Sequence, residues 1–391
     1  MRPSSSILPA ADAFLAVNLI VDFAADRFDA AAAERAHHMA NALGFRLMHA
    51  ARGDERLAAW IDWQFAPSWW SAEACASEVW VALDTRGDIA GFAAFDAHGL
   101  RWPWLRGYHA RAEVGIFGPY GVVREQRKTG LGEALLDVAL CSLRAKSYAH
   151  ALIPAVGFDR LVAMYQARTG ATIADRFSFD SPRRFRTTIL ASGGGTNAQN
   201  VFDRVGAGTL PLELGGVITN SSRAQVVQRA ERAGVGVQAV VWDRAAQSRA
   251  TYDARVIAAV ADTRPELVLL LGWMHLLPPI FIERFAEILN VHPAFLPLDP
   301  GADEVVLPDG SVIPAFRGAH ALRDALAARA PWSGASVHRV TRETDRGAIV
   351  VRTPLRIAGL TNLIDVVDKV RPIEHAAVAS AVRRWCFEQN A

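Results

Sequence analysis

Short apolar runs alternate with longer amphipathic segments along most of this chain, and the rhythm changes near its middle. In the first half, residues 13–21 form an apolar run that reads as a strand. Residues 29–43 carry an alanine-rich helical period that Gly44 is suited to end. Residues 78–83 and 89–95 flank Asp84-Thr85-Arg86-Gly87-Asp88 and predict a hairpin turned at Gly87. A strand over 113–123, a helix to about Lys146, a strand over 151–156 and a helix over 159–168 complete this half. After residue 187 the alternation becomes regular. Strands are predicted over 187–191, 214–219 and 237–241, with helices from about Ala198 and over 225–233 and 251–262. The run Leu267-Val268-Leu269-Leu270-Leu271-Gly272-Trp273 predicts a strand buried on both faces of a parallel sheet. Pro278 and Pro279 open a short helix through Phe285, and Ile288-Leu289 starts the next strand. Strands and helices in this order predict an α/β fold with a doubly wound sheet.

At 391 residues the chain exceeds what one core usually serves, so two domains are expected. Residues 179–186, polar and basic with one proline, mark the expected boundary and give domains over 1–182 and 187–391. The net charge of +2 and the lack of a long basic run give no reason to expect a nucleic-acid partner. Cys75, Cys141 and Cys386 lie far apart without metal-ligand spacing, which predicts no disulfide framework and no metal site and fits a reducing cytoplasm. The run over 13–21 is too short to cross a bilayer, follows Asp12 and lacks a cleavage pattern, so neither membrane insertion nor export is expected. Seven of the 11 tryptophans precede residue 105, and packing in a small core is their expected use.

Candidate chemistry gathers at three places. Asn290 and His292 fall at a strand end, where alternation sends both side chains to one side. Open α/β sheets bind ligands beyond the carboxyl ends of their strands. An amide and an imidazole there can grip a developing oxyanion and move a proton, although a capped strand end with a surface histidine uses the same residues. Two glycine loops, Arg127-Lys128-Thr129-Gly130-Leu131-Gly132 and Ser192-Gly193-Gly194-Gly195-Thr196-Asn197, each join a strand to a helix and suit an anion at the helix amino terminus. Thr196 and Asn197 are suited to cap the second of these helices. Gly193, Gly195 and Ala198 fit a dinucleotide fingerprint. The next strand, however, ends in Asn220-Ser221-Ser222 without an acid for a ribose, so a small phosphate or other polar group fits better.

The first half resembles the GNAT acetyltransferases. Arg127, Gly130 and Gly132 match their R/Q-x-x-G-x-G/A signature between strand and helix, and Tyr165 with Gly170 matches their later Y-x-x-x-x-G. The resemblance implies a mixed α+β sheet domain that binds acetyl-CoA on residues 127–132, with Tyr165 as general acid for the departing thiolate. A divergent domain that only recognises a substrate is the alternative.

The second half resembles the glycinamide ribonucleotide (GAR) transformylases and the wider folate-dependent formyltransferases. Its motifs keep the family order over residues 187–390: the 192–197 loop, Leu271-Gly272-Trp273-Met274-His275-Leu276-Leu277, Leu289-Asn290-Val291-His292-Pro293-Ala294-Phe295-Leu296-Pro297, Phe316-Arg317-Gly318-Ala319-His320, Val337 to Gly347, and Glu374-His375. The resemblance implies a Rossmann-like, doubly wound domain that moves a formyl group from 10-formyltetrahydrofolate to a small-molecule amine. It implies Asn290 as oxyanion donor, His292 as proton mover and Asp345 as the carboxylate that holds His292. It further implies that Met274, His275, Leu276, Leu277 and Thr341 hold the folate, and that Gly194, Gly195, Thr196, Asn197 and Glu374 face the acceptor. His338 reads as a structural histidine, and His320 as an acceptor-site or surface residue.

The departures from that family bear on the acceptor. Where it usually has one residue after Pro297, this chain has 18, residues 298–315, patterned as a hairpin around Pro308-Asp309-Gly310 and expected to reshape or cover the acceptor cleft. His275 and Glu287 stand where arginine is common. These features favour an amine or hydroxylamine of a specialised metabolite, with phosphoribosylglycinamide formyltransferase and formyltetrahydrofolate deformylase as alternatives.

Overall fold

The computed structural model describes residues 15–25, 27–97, 102–178 and 183–389. Ala13, Phe14 and the linker positions 179–182 lie outside them. In chain order the elements are β1 (Leu15–Asp22), α1 (Ala30–Ala42), β2 (Arg46–Ala50), α2 (Glu55–Gln64), α3 (Trp70–Cys75), β3 (Glu78–Leu83), β4 (Ile89–Phe95), β5 (Val114–Val122), α4 (Leu131–Ala145), β6 (His150–Val156), α5 (Asp159–Thr169) and β7 (Thr172–Ser178). There follow β8 (Phe185–Leu190), α6 (Thr196–Gly206), β9 (Leu212–Thr219), α7 (Gln225–Arg232), β10 (Val237–Ala239), α8 (Arg249–Asp262), β11 (Leu267–Leu270), α9 (Pro279–Arg284), β12 (Ile288–His292), β13 (Glu304–Val306), β14 (Val312–Pro314), α10 (Ala321–Ala327), β15 (Trp332–Arg339), β16 (Ile349–Arg356) and α11 (Leu363–Glu388).

The chain divides into two compact units. One holds residues 1–51, 76–182 and 387–391, the other residues 52–75 and 183–386. Residues 52–75, read from the sequence as part of the first domain, group with the second unit. The cause is visible in the side chains. Asp62 of α2 is fully buried, and its carboxylate takes a 2.6 Å bond from Arg352 Nε of β16. Burial raises the Asp62 carboxyl to about 6 against the opposing pull of Arg352. The four tryptophans between positions 60 and 70 therefore serve the second unit, where Trp63 meets Trp332 edge-on.

The first unit is a mixed sheet in the order β2-β3-β4-β5-β6-β1-β7, antiparallel except where β5 runs beside β6. That parallel pairing covers only Val114–Ile116, whereas β5 continues to Val122, so the two strands part beyond Ile116. The α1 and α4 helices pack their alanine and leucine faces on this sheet.

The second unit is a sheet in the order β10-β9-β8-β11-β12-β15-β16. Its first five strands are parallel, as expected, and the last two are antiparallel, which the sequence pattern did not announce. Successive strand residues go to opposite cores: Ile189, Val217, Leu269 and Leu289 meet α6, α7 and α11, while Leu190, Ile218, Val268 and Ile288 meet α8 and α9. Both faces are covered, which is why these strands read as continuous apolar runs.

Candidate active site

The β12 strand ends the parallel part of the sheet, and the polar side chains of interest sit there. Asn290 and His292 share the face of Ile288, as alternation requires. Antiparallel pairing sets Asn290 directly opposite His338 of β15. The loop after β15 then brings Asp345 over this pair. Asn290 Nδ2 lies 3.1 Å from His338 Nε2 and 3.3 Å from Asp345 Oδ1. His338 Nδ1 lies 2.8 Å from the Arg339 carbonyl, which can only accept, so Nδ1 carries a proton, and Nε2 faces both Asn290 and Asp345 Oδ1, the latter at 3.4 Å. His338, read as structural from the sequence, is thus a direct neighbour of the cluster.

His292 is 4% exposed. Its Nε2 lies 2.8 Å from the Phe316 carbonyl and therefore carries a proton, leaving Nδ1 to face Asp345 Oδ2 at 3.4 Å. Burial pushes the His292 pKa below the ordinary histidine value; Asp345 and the Phe316 carbonyl pull it back up, and His338 and Arg317 oppose them. The resting ring is neutral near pH 7, and the position that would take a proton is the one beside the carboxylate. Burial alone would raise the Asp345 carboxyl, but the flanking imidazoles of His338 and His292 and a 2.7 Å bond from the Gly318 N–H hold it down at about 2.

Gly347 makes this arrangement possible. A Cβ there would lie 1.6 Å from the Arg339 carbonyl oxygen, so only glycine lets the loop close back on β15. Gly347→Ala should cost about 1–3 kcal/mol from overpacking against backbone. A lowered urea midpoint, with loss of whatever activity depends on Asp345, is the expected result.

The loop over residues 192–197 lies across the ends of β8 and β11. Ser192 N donates to the Gly272 carbonyl, and Ser192 Oγ accepts from Met274 N at 3.0 Å. Gly195 has φ +69°, and a Cβ there would lie 2.6 Å from Val226. The helix start differs from expectation. Gly195, not Thr196 or Asn197, is the N-cap of α6, and no side chain bonds the free N–H groups. Asn197 instead sends Nδ2 across to Glu374 Oε2 of α11 at 3.2 Å, and its buried Oδ1 has no partner. Burial raises the Glu374 carboxyl, against the Asn197 bond and the charge of Arg371. Gly194 gives its carbonyl to Arg229 Nε at 2.8 Å. The loop thus gathers open N–H donors, Arg229 and Glu374 about one helix terminus.

Beyond β11, Met274 and Leu276 are 54% and 69% exposed, and the buried Trp273 Nε1 has no acceptor. His275 bonds the Tyr252 hydroxyl at 2.8 Å. Large apolar side chains held in water beside orphaned polar groups fit a flat, hydrogen-bonding ring system. Thr341, exposed, donates through Oγ1 to the Glu343 carbonyl at 3.1 Å. His320 is exposed at the start of α10.

The segment 298–315 does form a hairpin, with β13 and β14 turned over Pro308-Asp309-Gly310. Three of its apolar side chains are packed inward, while Val312 is exposed. Val305, Leu307 and Ile313 are buried with Ala59 of α2, Ala325 of α10 and Trp332 of β15. Among the described residues, no group of three histidine, cysteine or acidic side chains is placed to hold a metal ion, and no helix is long and apolar enough to cross a membrane.

In the first unit, Gly130 has φ +107° and precedes α4, beside exposed Arg127. Gly132 follows in the first turn of that helix. Tyr165 is buried against Phe117 and Tyr120, and its hydroxyl bonds that of Tyr120. Burial holds its pKa well above the usual tyrosine value.

Residues 185–307 and 309–382 match the model of the formyl transferase family. Phosphoribosylglycinamide formyltransferase of Escherichia coli is 29% identical over 189 residues, covering 48% of this chain and 81% of that protein. The enzyme of the same name from Haemophilus influenzae is 28% identical over 204 residues, 52% of this chain and 87% of that protein. The human trifunctional purine biosynthetic protein adenosine-3 is 24% identical over 213 residues, and the match spans 19% of it. The solved glycinamide ribonucleotide transformylase 1 of Symbiobacterium toebii is 28% identical, with a TM-score of 0.46 over 53% of this chain and 89% of that one.

Proposed function

We propose, from the premise that this chain belongs to the formyl transferase family, that it moves a formyl group from 10-formyltetrahydrofolate to the primary amine of glycinamide ribonucleotide. The observation that carries the chemistry is the convergence of Asn290, His292 and Asp345 at the end of β12. When bound, the folate supplies an electrophilic formyl carbon; the acceptor nitrogen bonds to it as its bond to the folate nitrogen breaks. Asn290 releases one amide hydrogen from its present partners to meet the negative charge that develops on the formyl oxygen. His292 takes up at Nδ1 the proton lost by the amine, where Asp345 stabilises the imidazolium, and gives that proton to the departing folate nitrogen. Met274 to Leu277 and Thr341 border the folate, and residues 194–197 with Glu374 face the acceptor.

The acceptor assignment follows the relatives' own substrates and is supported by the polar loop at α6, whose open donors suit a phosphate. Glu287 does not stand against this acceptor, because its carboxylate is already matched by Arg339 and by a 2.7 Å bond from Trp385 Nε1. The segment 298–315, whose Ala302 carbonyl holds Arg317 beside Asp345, favours a second reading in which the acceptor is another amine or a hydroxylamine. Steady-state release of tetrahydrofolate with glycinamide ribonucleotide and a panel of amines separates the two. High efficiency with the ribonucleotide supports the first, and preference for a different amine overturns it. Release at the same rate without acceptor would make the protein a deformylase.

The pH profile is a further check. Because the His292 pKa is lowered, the acid limb of kcat/KM should fall below about 6.5, the ordinary histidine value. A limb at or above that value would argue against neutral His292 as the proton acceptor.

For the first unit we propose acyl-CoA binding at the turn before α4, with the gap between β5 and β6 as the path of the acyl arm. Arg127, Gly130 and Gly132 would meet the pyrophosphate, and Tyr165 would be the acid only if its bond to Tyr120 breaks. Calorimetric titration with acetyl-CoA and with CoA tests this, and no heat for either overturns it.

A further inference from the structure

Asp345 sits at φ +53°, a left-handed conformation that aspartate tolerates but does not hold by itself. Two guanidinium groups bracket it. Arg317 Nε donates to the Asp345 backbone carbonyl at 3.2 Å, its Nη2 donates to the Ala302 carbonyl at 2.6 Å, and its Nη1 reaches Asp303 Oδ1 at 3.5 Å. Arg346, the next residue after Asp345, donates through Nη1 to the carbonyls of Pro300 and Gly301 at 3.0 and 3.2 Å and pairs through Nη2 with Asp303. Residues 300–303 are the approach to β13, and the hairpin that follows is fixed by buried Val305 and Leu307.

We propose that Arg317 and Arg346 are positioning residues: residues 300–303 anchor the two guanidinium forks, and the forks hold Asp345 against His292. This rests on the reading of Asp345 as the carboxylate of formyl transfer. Asp303 is 78% exposed, so its ion pairs add little to folding stability, whereas Arg317 is 13% exposed and its carbonyl bonds are directional. The arrangement is therefore suited to fixing geometry. Asp345 Oδ2 already lies 3.4 Å from His292 Nδ1, and any outward drift breaks that contact. It also gives the segment 298–315 a use other than covering the cleft.

The charged and titratable groups facing His292 are Asp345, His338 and Arg317. Arg317→Lys keeps the charge but cannot serve the Asp345 carbonyl, the Ala302 carbonyl and Asp303 together. Its kcat should fall about 10- to 100-fold, with both KM values within about twofold, as expected for misplacement of a catalytic group. In an NMR titration of the free protein, His292 should lose its proton at lower pH than in wild type, because Asp345 no longer supports the imidazolium. Asp303→Asn should move both readouts in the same direction by less. Wild-type kcat and wild-type His292 titration in both variants would overturn the proposal. So would a variant that melts earlier while its folded fraction keeps both properties, since Arg317 would then be merely structural. If wild type transfers no formyl group, the functional reading fails, and the His292 titration still decides whether the forks position Asp345.

Discussion

Asn290→Ala should slow formyl transfer about 100- to 1,000-fold while leaving the fold in place. The fold should survive because Asn290 sits at the edge of the cluster, half-buried, and its two bonds go to His338 and Asp345 rather than into either hydrophobic core. The rate should not survive, because among the described residues Asn290 is the side-chain amide at this strand end, in the cluster with His338 and Asp345. KM for the donor should change little, since an oxyanion donor acts mainly in the transition state. Steady-state kinetics with a thermal melt as control checks this. A near-normal kcat would remove Asn290 from the mechanism.

The second large effect is expected from Asp345→Asn, on the order of 100- to 10,000-fold in kcat, the range seen when an oxyanion donor or a histidine-orienting carboxylate is lost. The substitution keeps size and removes the charge that faces His292 Nδ1. His292 should then titrate still lower, moving the acid limb of the pH profile down, because the group that raises its pKa is gone. Stability carries a matching signature. Folded Asp345 titrates at about 2 against 3.8, so its contribution is present above about pH 4 and lost as pH falls toward 2. That contribution is on the order of 2 kcal/mol. Acid unfolding of the asparagine variant should lack this increment, and an unchanged acid-unfolding curve would show that Asp345 is not held as described.

Much of the site was legible because its signals are local. Alternation along β12 gave the shared face of Asn290 and His292, and the glycine-rich turn gave the presence of α6, though not its capping residue. What the pattern concealed depends on pairing between distant segments. His338 becomes a partner of Asn290 only through the antiparallel register of β15 on β12, and no periodicity in residues 332–339 announces that register. Arg317 looks like a surface residue until Ala302 and Asp345 are brought to it. The transfer of α2 to the second unit turns on the Asp62–Arg352 pair, 290 residues apart. An aspartate inside an otherwise apolar helix face was the one available signal, since a buried carboxylate requires a partner. The close approach of Gly347 to the Arg339 carbonyl likewise shows only once the loop is folded back on β15.

The fate of a labelled formyl group tests the central claim most directly. With formyl-labelled 10-formyltetrahydrofolate and glycinamide ribonucleotide, the label should appear as an N-formyl amide of the acceptor, in amount equal to the tetrahydrofolate released, and should form about 100- to 1,000-fold more slowly with Asn290→Ala. Label recovered as formate, or no release with the ribonucleotide and every amine of the panel, would contradict it.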